Sequence, residues 1–273
     1  MKYIIVVFLM LNIVYAKEKF IPILDMKTKT FMGSSKGDVY YDPHKHFYDY
    51  RDADTFINKD FNFYSMNGLQ KGQITLKALI KADDICPDYF GIITDSNHEK
   101  GIALESDISW NPLPRKIKPL MTNSKIYNEV VIDMLLKQGI QKPIIAIKQL
   151  YRSDLDGDGK EEVIIVADHH RYPAALKTPV SDVNNYSFIM VRTLHKGVIK
   201  NILIEGSFYL PKYEKRESKF IPNRYELLSI LDINGDGTME IVVHSSYYEG
   251  SFTTVYALRD GQIHNVLETG CGL

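Results

Sequence analysis

Cysteine is nearly missing from the 273 residues: only Cys86 and Cys271 occur. Two sulfurs are too few for a cysteine-rich zinc module or a disulfide-dense scaffold. A surplus of either charge is missing too, with 33 Lys+Arg against 34 Asp+Glu, so no overall cationic field attracts nucleic acid or anionic lipid. Beyond the first residues no apolar run reaches membrane-spanning length. The motifs H-E-x-x-H, G-x-x-x-x-G-K-[ST] and C-x-x-C are absent, which removes the readiest signatures of metalloprotease, nucleotide and disulfide-exchange chemistry. What is present is globular: 45% hydrophobic, 25% charged and 11% aromatic residues, a composition that excludes disorder and collagen-like structure.

The N-terminus stands apart from the core. Met1-Lys2 supply a short positive start, Tyr3 to Val14 form an apolar run, and Val14-Tyr15-Ala16 before Lys17 fits a small-residue cleavage site. This pattern reads as a secretory signal peptide over residues 1–16, cleaved after Ala16. An uncleaved anchor is the alternative, but the run falls short of the roughly 18 residues that span a bilayer. The expected mature chain is periplasmic or secreted and has no membrane span. In such a compartment Cys86 and Cys271 can pair, and the sequence leaves open whether they do.

An internal repeat dominates the second half. Asp154-Leu155-Asp156-Gly157-Asp158-Gly159-Lys160-Glu161-Glu162 returns 78 residues later as Asp232-Ile233-Asn234-Gly235-Asp236-Gly237-Thr238-Met239-Glu240. Strand-type runs flank both copies: Ile144 to Leu150 and Val163 to Val166 around the first, Tyr225 to Leu231 and Ile241 to Val243 around the second. Two further runs follow each pair, Tyr186 to Arg192 with Val198 to Leu210, and Phe252 to Leu258 with Gln262 to Leu267. Each repeat is therefore expected to hold four strands, the makeup of one propeller blade.

Each loop offers oxygen ligands at alternate positions around glycines that turn the chain sharply, which suits a hard cation. The first offers Asp154, Asp156, Asp158, the backbone carbonyl of Lys160, and Glu162. The second offers Asp232, Asn234, Asp236, the carbonyl of Thr238, and Glu240. Calcium, with its 6–8 oxygens, fits this inventory better than magnesium, and no nitrogen or sulfur is offered to zinc or copper. An EF-hand begins the same way but requires a Glu at position 12 between two helices; position 12 is Ile165 or Val243, and strand-type runs flank both loops. With its acid at position 9 instead, the segment 144–273 resembles the FG-GAP/VCBS repeats of integrin-type β-propellers and many exported bacterial proteins. The resemblance implies one structural calcium ion in each loop.

The expected fold is mainly β. It comprises the signal peptide (1–16), an N-terminal β-rich lobe (17–111), a linker and helix (112–143), and two blade-like repeats with calcium-binding hairpin loops (144–221 and 222–273). Gly72–Ile80 and Tyr89–Thr94 are strand-like runs of the lobe, and Trp110 to Pro114 reads as the start of the linker. Asn123-Ser124 caps a single amphipathic helix from Lys125 to about Gln138, with Ile126, Val130, Val131, Met134 and Leu135 on its apolar side and Gly139 as its stop. Two blades cannot close a propeller, which takes 4–8, so either the lobe supplies degenerate blades or the two repeat sheets pack as an open sandwich.

Other candidate residues are weaker. His44 and His46, near Asp42 and Asp49, lack a defined third ligand and read as a solvated loop. His169-His170 and Tyr247-Tyr248-Glu249 occupy matching sheet edges and are candidate rim residues. Asn185-Tyr186-Ser187 fits a glycosylation acceptor. The leading functional expectation is an exported, calcium-braced binding or interaction module for a glycan, a peptide or a surface protein. The alternative is a periplasmic or secreted hydrolase built on the repeat sheets.

Overall fold

The computed structural model describes residues 19–42, 54–82, 86, 89–170, 184–210 and 223–272. Residues 1–16, His44, His46 and Asp49 lie outside them. The described chain is mainly β with antiparallel sheets and one helix.

Seven strands build the N-terminal lobe: β1 (Ile21–Asp25), β2 (Thr30–Lys36), β3 (Val39–Tyr41), β4 (Asp60–Ser65), β5 (Gly68–Lys81), β6 (Phe90–Thr94) and β7 (Ile102–Glu105). Their order is β1-β7-β4-β5-β6-β2-β3, and β1 also pairs with β2. That last pairing closes six strands into a barrel, leaving β3 as an extension, so the lobe has no two-edged blade to add to a propeller. Alternation along the strands sorts the side chains. Leu24, Phe31, Phe61, Phe63, Ile74, Leu76 and Ala103 fill the interior, while Ile23, Met32, Tyr64, Ile102 and Leu104 face outward into a second cluster.

The first repeat sheet runs β12-β11-β10-β9-β8, from β8 (Lys118–Pro119), β9 (Ile147–Ser153), β10 (Glu162–His169), β11 (Tyr186–His195) and β12 (Val198–Phe208). The second runs β13-β14-β15-β16, from β13 (Arg224–Leu231), β14 (Glu240–Tyr247), β15 (Gly250–Arg259) and β16 (Gln262–Gly272). Both are up-and-down meanders, as the repeat predicts, with β8 adding a two-residue edge to the first.

The layers are stacked, and the alternation within each sheet shows how. Val163, Ile165, Ala167, Phe188 and Met190 face the helix α1 (Lys125–Lys137). Their neighbours Ile164, Val166, Ile189 and Val191 face the second repeat sheet at Leu227, Ile230, Ile241 and Val243. The other side of that sheet, Leu228, Leu231, Val242, Val255 and Leu267, packs on the outside of the barrel. Burial on both faces explains the unbroken apolar runs of β10 and β14. A bulge between Leu227 and Ser229 resets the alternation, so that Leu227 and Ile230 share one face and Leu228 and Leu231 the other.

Helix α1 ends in a Schellman arrangement at Gly139 (φ 93°), where Ile140 N–H bonds Leu135 O and Gly139 N–H bonds Leu136 O. Val130, Val131, Met134 and Leu135 are buried as expected, but Ile126, in the first turn, stays exposed. Cys86, in the β5–β6 connection, and Cys271 of β16 form a disulfide with Cα atoms 5.8 Å apart. The bond ties the barrel to the last strand across 185 residues, and for a loop this long the chain-entropy account gives about 5 kcal/mol of stabilisation.

Candidate metal centres

The two loops fold as copies. Each joins the first two long strands of its sheet, β9 to β10 and β13 to β14, and each bends at two glycines of positive φ: Gly157 (77°) and Gly159 (84°), Gly235 (81°) and Gly237 (87°). Asp154 accepts from Gly157 N–H at 2.8 Å and Gly159 N–H at 3.2 Å; Asp232 does the same with Gly235 at 2.7 Å and Gly237 at 3.0 Å. Asp156 and Asn234 each accept from the amide two residues on, as do Asp158 and Asp236. The acid at position 9 closes each loop: Glu162 accepts from Leu155 N–H and Glu240 from Ile233 N–H, both at 2.9 Å. The sequence repeat is thus a conformational repeat; among the described residues the acids converge within 4.8 Å in the first loop, whereas Asp232, Asp236 and Glu240 of the second do not form such a group.

In the first loop, ligand atoms of Asp154, Asp156 and Glu162 all lie within 4.8 Å of one another. Asp158 is not in that group; its carboxylate takes the amide of Lys160 at 2.8 Å and the Lys160 ammonium at 2.9 Å, which hold its pKa down. Both oxygens of Glu162 are occupied, the second by the Thr193 hydroxyl at 3.0 Å, and burial still raises its pKa.

The second loop is more enclosed. Asp232, Asn234 and Glu240 are buried. Asn234 Nδ2 donates to Asp236 Oδ2 at 3.1 Å, a bond that a carboxylate there would not form. Burial, reinforced by Asp236 and Asp232, pushes the Glu240 carboxyl up to about 8, and burial raises Asp232 as well. Glu240 Oε1 and the Tyr40 hydroxyl from β3 are both buried; neither meets a partner at full hydrogen-bond geometry, and the two lie within side-chain hydrogen-bonding reach of each other. Burial, then the Glu240 charge, drives the Tyr40 phenol well above its usual range. A buried carboxylate beside two further acids is what a hard cation would neutralise. Asp232, Asn234, Asp236 and Glu240, with the Thr238 carbonyl, would hold it there; Asp154, Asp156 and Glu162, with Asp158 and the Lys160 carbonyl, would do so in the first loop. A bound ion would supply charge neutralisation and fix the turn.

The segment read as a linker is a strap across both loops. Trp110 Nε1 donates to Asp232 O at 3.0 Å, and its ring lies so close on Gly235 that a Cβ there would meet it at 2.8 Å. Asp232 N–H bonds Pro112 O at 2.8 Å. Arg115 reaches both loops: its guanidinium donates to Asp154 O, to Leu155 O at 2.8 Å and to Gly237 O at 2.6 Å. The loops also touch directly, Met239 N–H to Leu155 O at 2.8 Å. Sequence reasoning missed Arg115, Tyr40 and Thr193; the one available signal was the single Trp of the chain standing just before Pro112 and Pro114.

The expected rim residues separate. The His170 side chain is almost fully covered and lies 3.4 Å from Asp168, whereas Tyr248 is exposed. Asn185 of the glycosylation triplet is buried. Comparison of the chain with protein-family models, with curated proteins and with solved structures finds no match.

Proposed function

We propose that the chain is an exported binding or interaction module of two blade-like, FG-GAP/VCBS-type repeats, in which one calcium ion in each loop braces the scaffold. The conformational repeat of the two oxygen-rich loops, with the acids Asp154, Asp156 and Glu162 converging in the first, carries this reading. Export draws support from the Cys86–Cys271 disulfide, a bond suited to an oxidising compartment. Among the described residues no helix is long and apolar enough to cross a membrane.

At the affinities of extracellular calcium modules, ten-fold excess ion adds about 1.4 kcal/mol per site, so calcium acts as a brace rather than a switch. The test is thermal melting of the full chain in chelator and in millimolar calcium. The expected result is a lower Tm in chelator that calcium restores and magnesium does not; identical melts in all three would remove calcium from the account.

The hydrolase alternative has one feature on its side, a contact from His244 to Thr253 and on to Asp25. Thr253 is not a free nucleophile, however, because its hydroxyl donates to Asp25 Oδ2 at 2.6 Å and the residue is buried.

A further inference from the structure

The ends of the sheets away from the metal loops hold a second concentration of polar chemistry. β10 leaves the first loop at Glu162 and β13 enters the second after Leu231, so Asp168 and Arg224 stand at the far end of their strands. There the β1–β2 turn of the barrel meets both repeat sheets around a cavity of about 370 Å³, whose walls include Lys27, Lys148, Asp168, Arg224, Glu226 and His244. That volume lies within the range of about 300–1,000 Å³ usual for small-molecule sites.

The acids of this cavity are already engaged. Asp168 accepts from Arg224 Nε at 3.0 Å and from His170 N–H at 3.1 Å. Burial would raise its pKa, but the His170 and Arg224 partners overcome that and hold it at about 2. Glu226 is bonded to Lys27 and lies 3.3 Å from Lys100. Lys148, by contrast, is exposed and makes no ion pair among the described residues. With both acids committed to fixed cations, Lys148 is surplus positive charge on the wall.

His244 presents an open acceptor. Asp25 Oδ2 takes the proton of the Thr253 hydroxyl at 2.6 Å, while Asp25 also accepts from Lys27 N–H, Thr28 N–H and the Thr28 hydroxyl. Having donated its only proton, Thr253 Oγ1 must accept from His244 Nδ1, 3.3 Å away. The ring is thereby fixed as the Nδ1–H tautomer, and Nε2 is left as a lone-pair acceptor. Burial first, then Lys27, lowers its pKa to about 4 against the opposing pull of Asp25 and Glu226, so the lone pair persists at neutral pH.

We propose that this cavity binds a small hydroxylated anion of the sugar-acid class, with a ligand hydroxyl donating to His244 Nε2 and the carboxylate set against Lys148. The inference rests on the binding-module reading and names its ligand class; it does not depend on calcium.

The experiment is isothermal titration of the full chain in calcium with glucuronate, methyl glucuronoside, glucose and acetate. Glucuronate is expected to bind at least about ten-fold more tightly than glucose or acetate, since each of these lacks one of the two contacts. His244→Phe keeps the ring volume and removes the acceptor, and is expected to weaken glucuronate about ten-fold or more. Lys148→Met, at an exposed position, is expected to weaken it about three- to ten-fold and flatten its salt dependence. If His244→Phe does not fold, the imidazole ¹⁵N resonances of the unaltered protein replace it, and Nε2 is expected to move on adding glucuronate while Nδ1 stays. Equal binding of the glucuronoside points to the end of a glycan chain as the source, and its exclusion points to the free acid. No glucuronate binding at about 10 mM, or binding that neither variant alters, overturns the assignment. In that event, capture of a peptide or neutral glycan would leave the binding-module reading standing, and hydrolytic turnover without any capture would remove both.

Discussion

The loop at 154–162 and the loop at 232–240 share five residues and the same hydrogen bonds from backbone amides to side chains, yet they meet solvent differently. In the first, Asp156 and Asp158 are exposed and Glu162 has a partner for each oxygen. In the second, Asp232 and Asn234 are buried, Trp110 lies over Gly235, and Glu240 keeps one oxygen without a partner at full hydrogen-bond geometry. A cation in the first loop screens acids that water already solvates, which is a small service. A cation in the second compensates a carboxylate removed from water, where the charged form is costly. Asn234 fits this contrast, because a further acid there would add buried charge, whereas its amide donates to Asp236.

The largest expected effect tests whether the loops act separately at all. Arg115 donates to carbonyls of both loops, so Arg115→Met is expected to cost about 2–4 kcal/mol, the loss of several charge-assisted bonds to partly buried acceptors. Calcium titration of the variant should resolve into two separate responses. An unchanged Tm with a single shared response would show that the strap does not couple the loops.

Next, the contrast predicts opposite signs for one substitution made twice. In chelator at pH 8–9, Glu240→Gln is expected to stabilise by about 1–3 kcal/mol, since it removes a buried charge set beside Asp232 and Asp236. Glu162→Gln is expected to destabilise by about 1 kcal/mol, because the amide oxygen keeps the Leu155 N–H and the NH2 turns to the Thr193 hydroxyl, so two charge-assisted bonds become neutral ones. The folded carboxyl of Glu240 sits at about 8, above its usual value; its contribution to stability without metal is therefore complete below the usual carboxylate range and is lost as pH rises through 8. The advantage of Glu240→Gln should vanish near pH 5. Equal shifts from both substitutions, read by chemical denaturation, would erase the distinction between the loops.

The conformation of both loops was legible in the sequence because it is set locally: nine consecutive residues carry the glycines, the acids and the spacing. The strands were legible for a similar reason, since β10 and β14 read as apolar runs and β11 to β16 followed at the expected places. The helix stopped where Gly139 said it would. Closure of the barrel was not legible, because it depends on β1 pairing with both β2 and β7, and no local pattern fixes a strand's second neighbour. The strap looked like a linker because Pro112, Pro114 and the nearby lysines are ordinary loop chemistry, and the acceptors that Arg115 finds are backbone carbonyls, which have no sequence signature. The cavity at the far end gathers Lys27, Lys148, Asp168, Arg224 and His244 from five separate segments, so its chemistry exists only after folding.

A third measurement assigns the acid limb of the stability profile to neither loop. His244 has its folded pKa at about 4, below the ordinary imidazole value, so its contribution is complete above that ordinary value and is lost as pH falls toward 4. At pH 5 this amounts to about 1–2 kcal/mol. His244→Phe should flatten that limb, while Glu240→Gln flattens only the alkaline one. Loss of both limbs in either variant would mean that the two ends of the sheets are not independent.

The smallest effect is the finest test of the contrast. Asp158 is exposed, stands outside the convergent group of its loop, and is held by Lys160. In Asp158→Asn the amide oxygen can still accept from Lys160 N–H, and water can take the place of the lost ligand oxygen. Tm in chelator is expected to stay at the wild-type value, with only a modest weakening of the calcium response. Asp236→Asn should weaken it more, because the second loop has one carboxylate fewer and Asp236 also engages Asn234 and Arg259. If Asp158→Asn instead abolished the calcium response of the first loop, the exposed loop would depend on every ligand as strictly as the buried one. Solvent exposure would then not be what separates them.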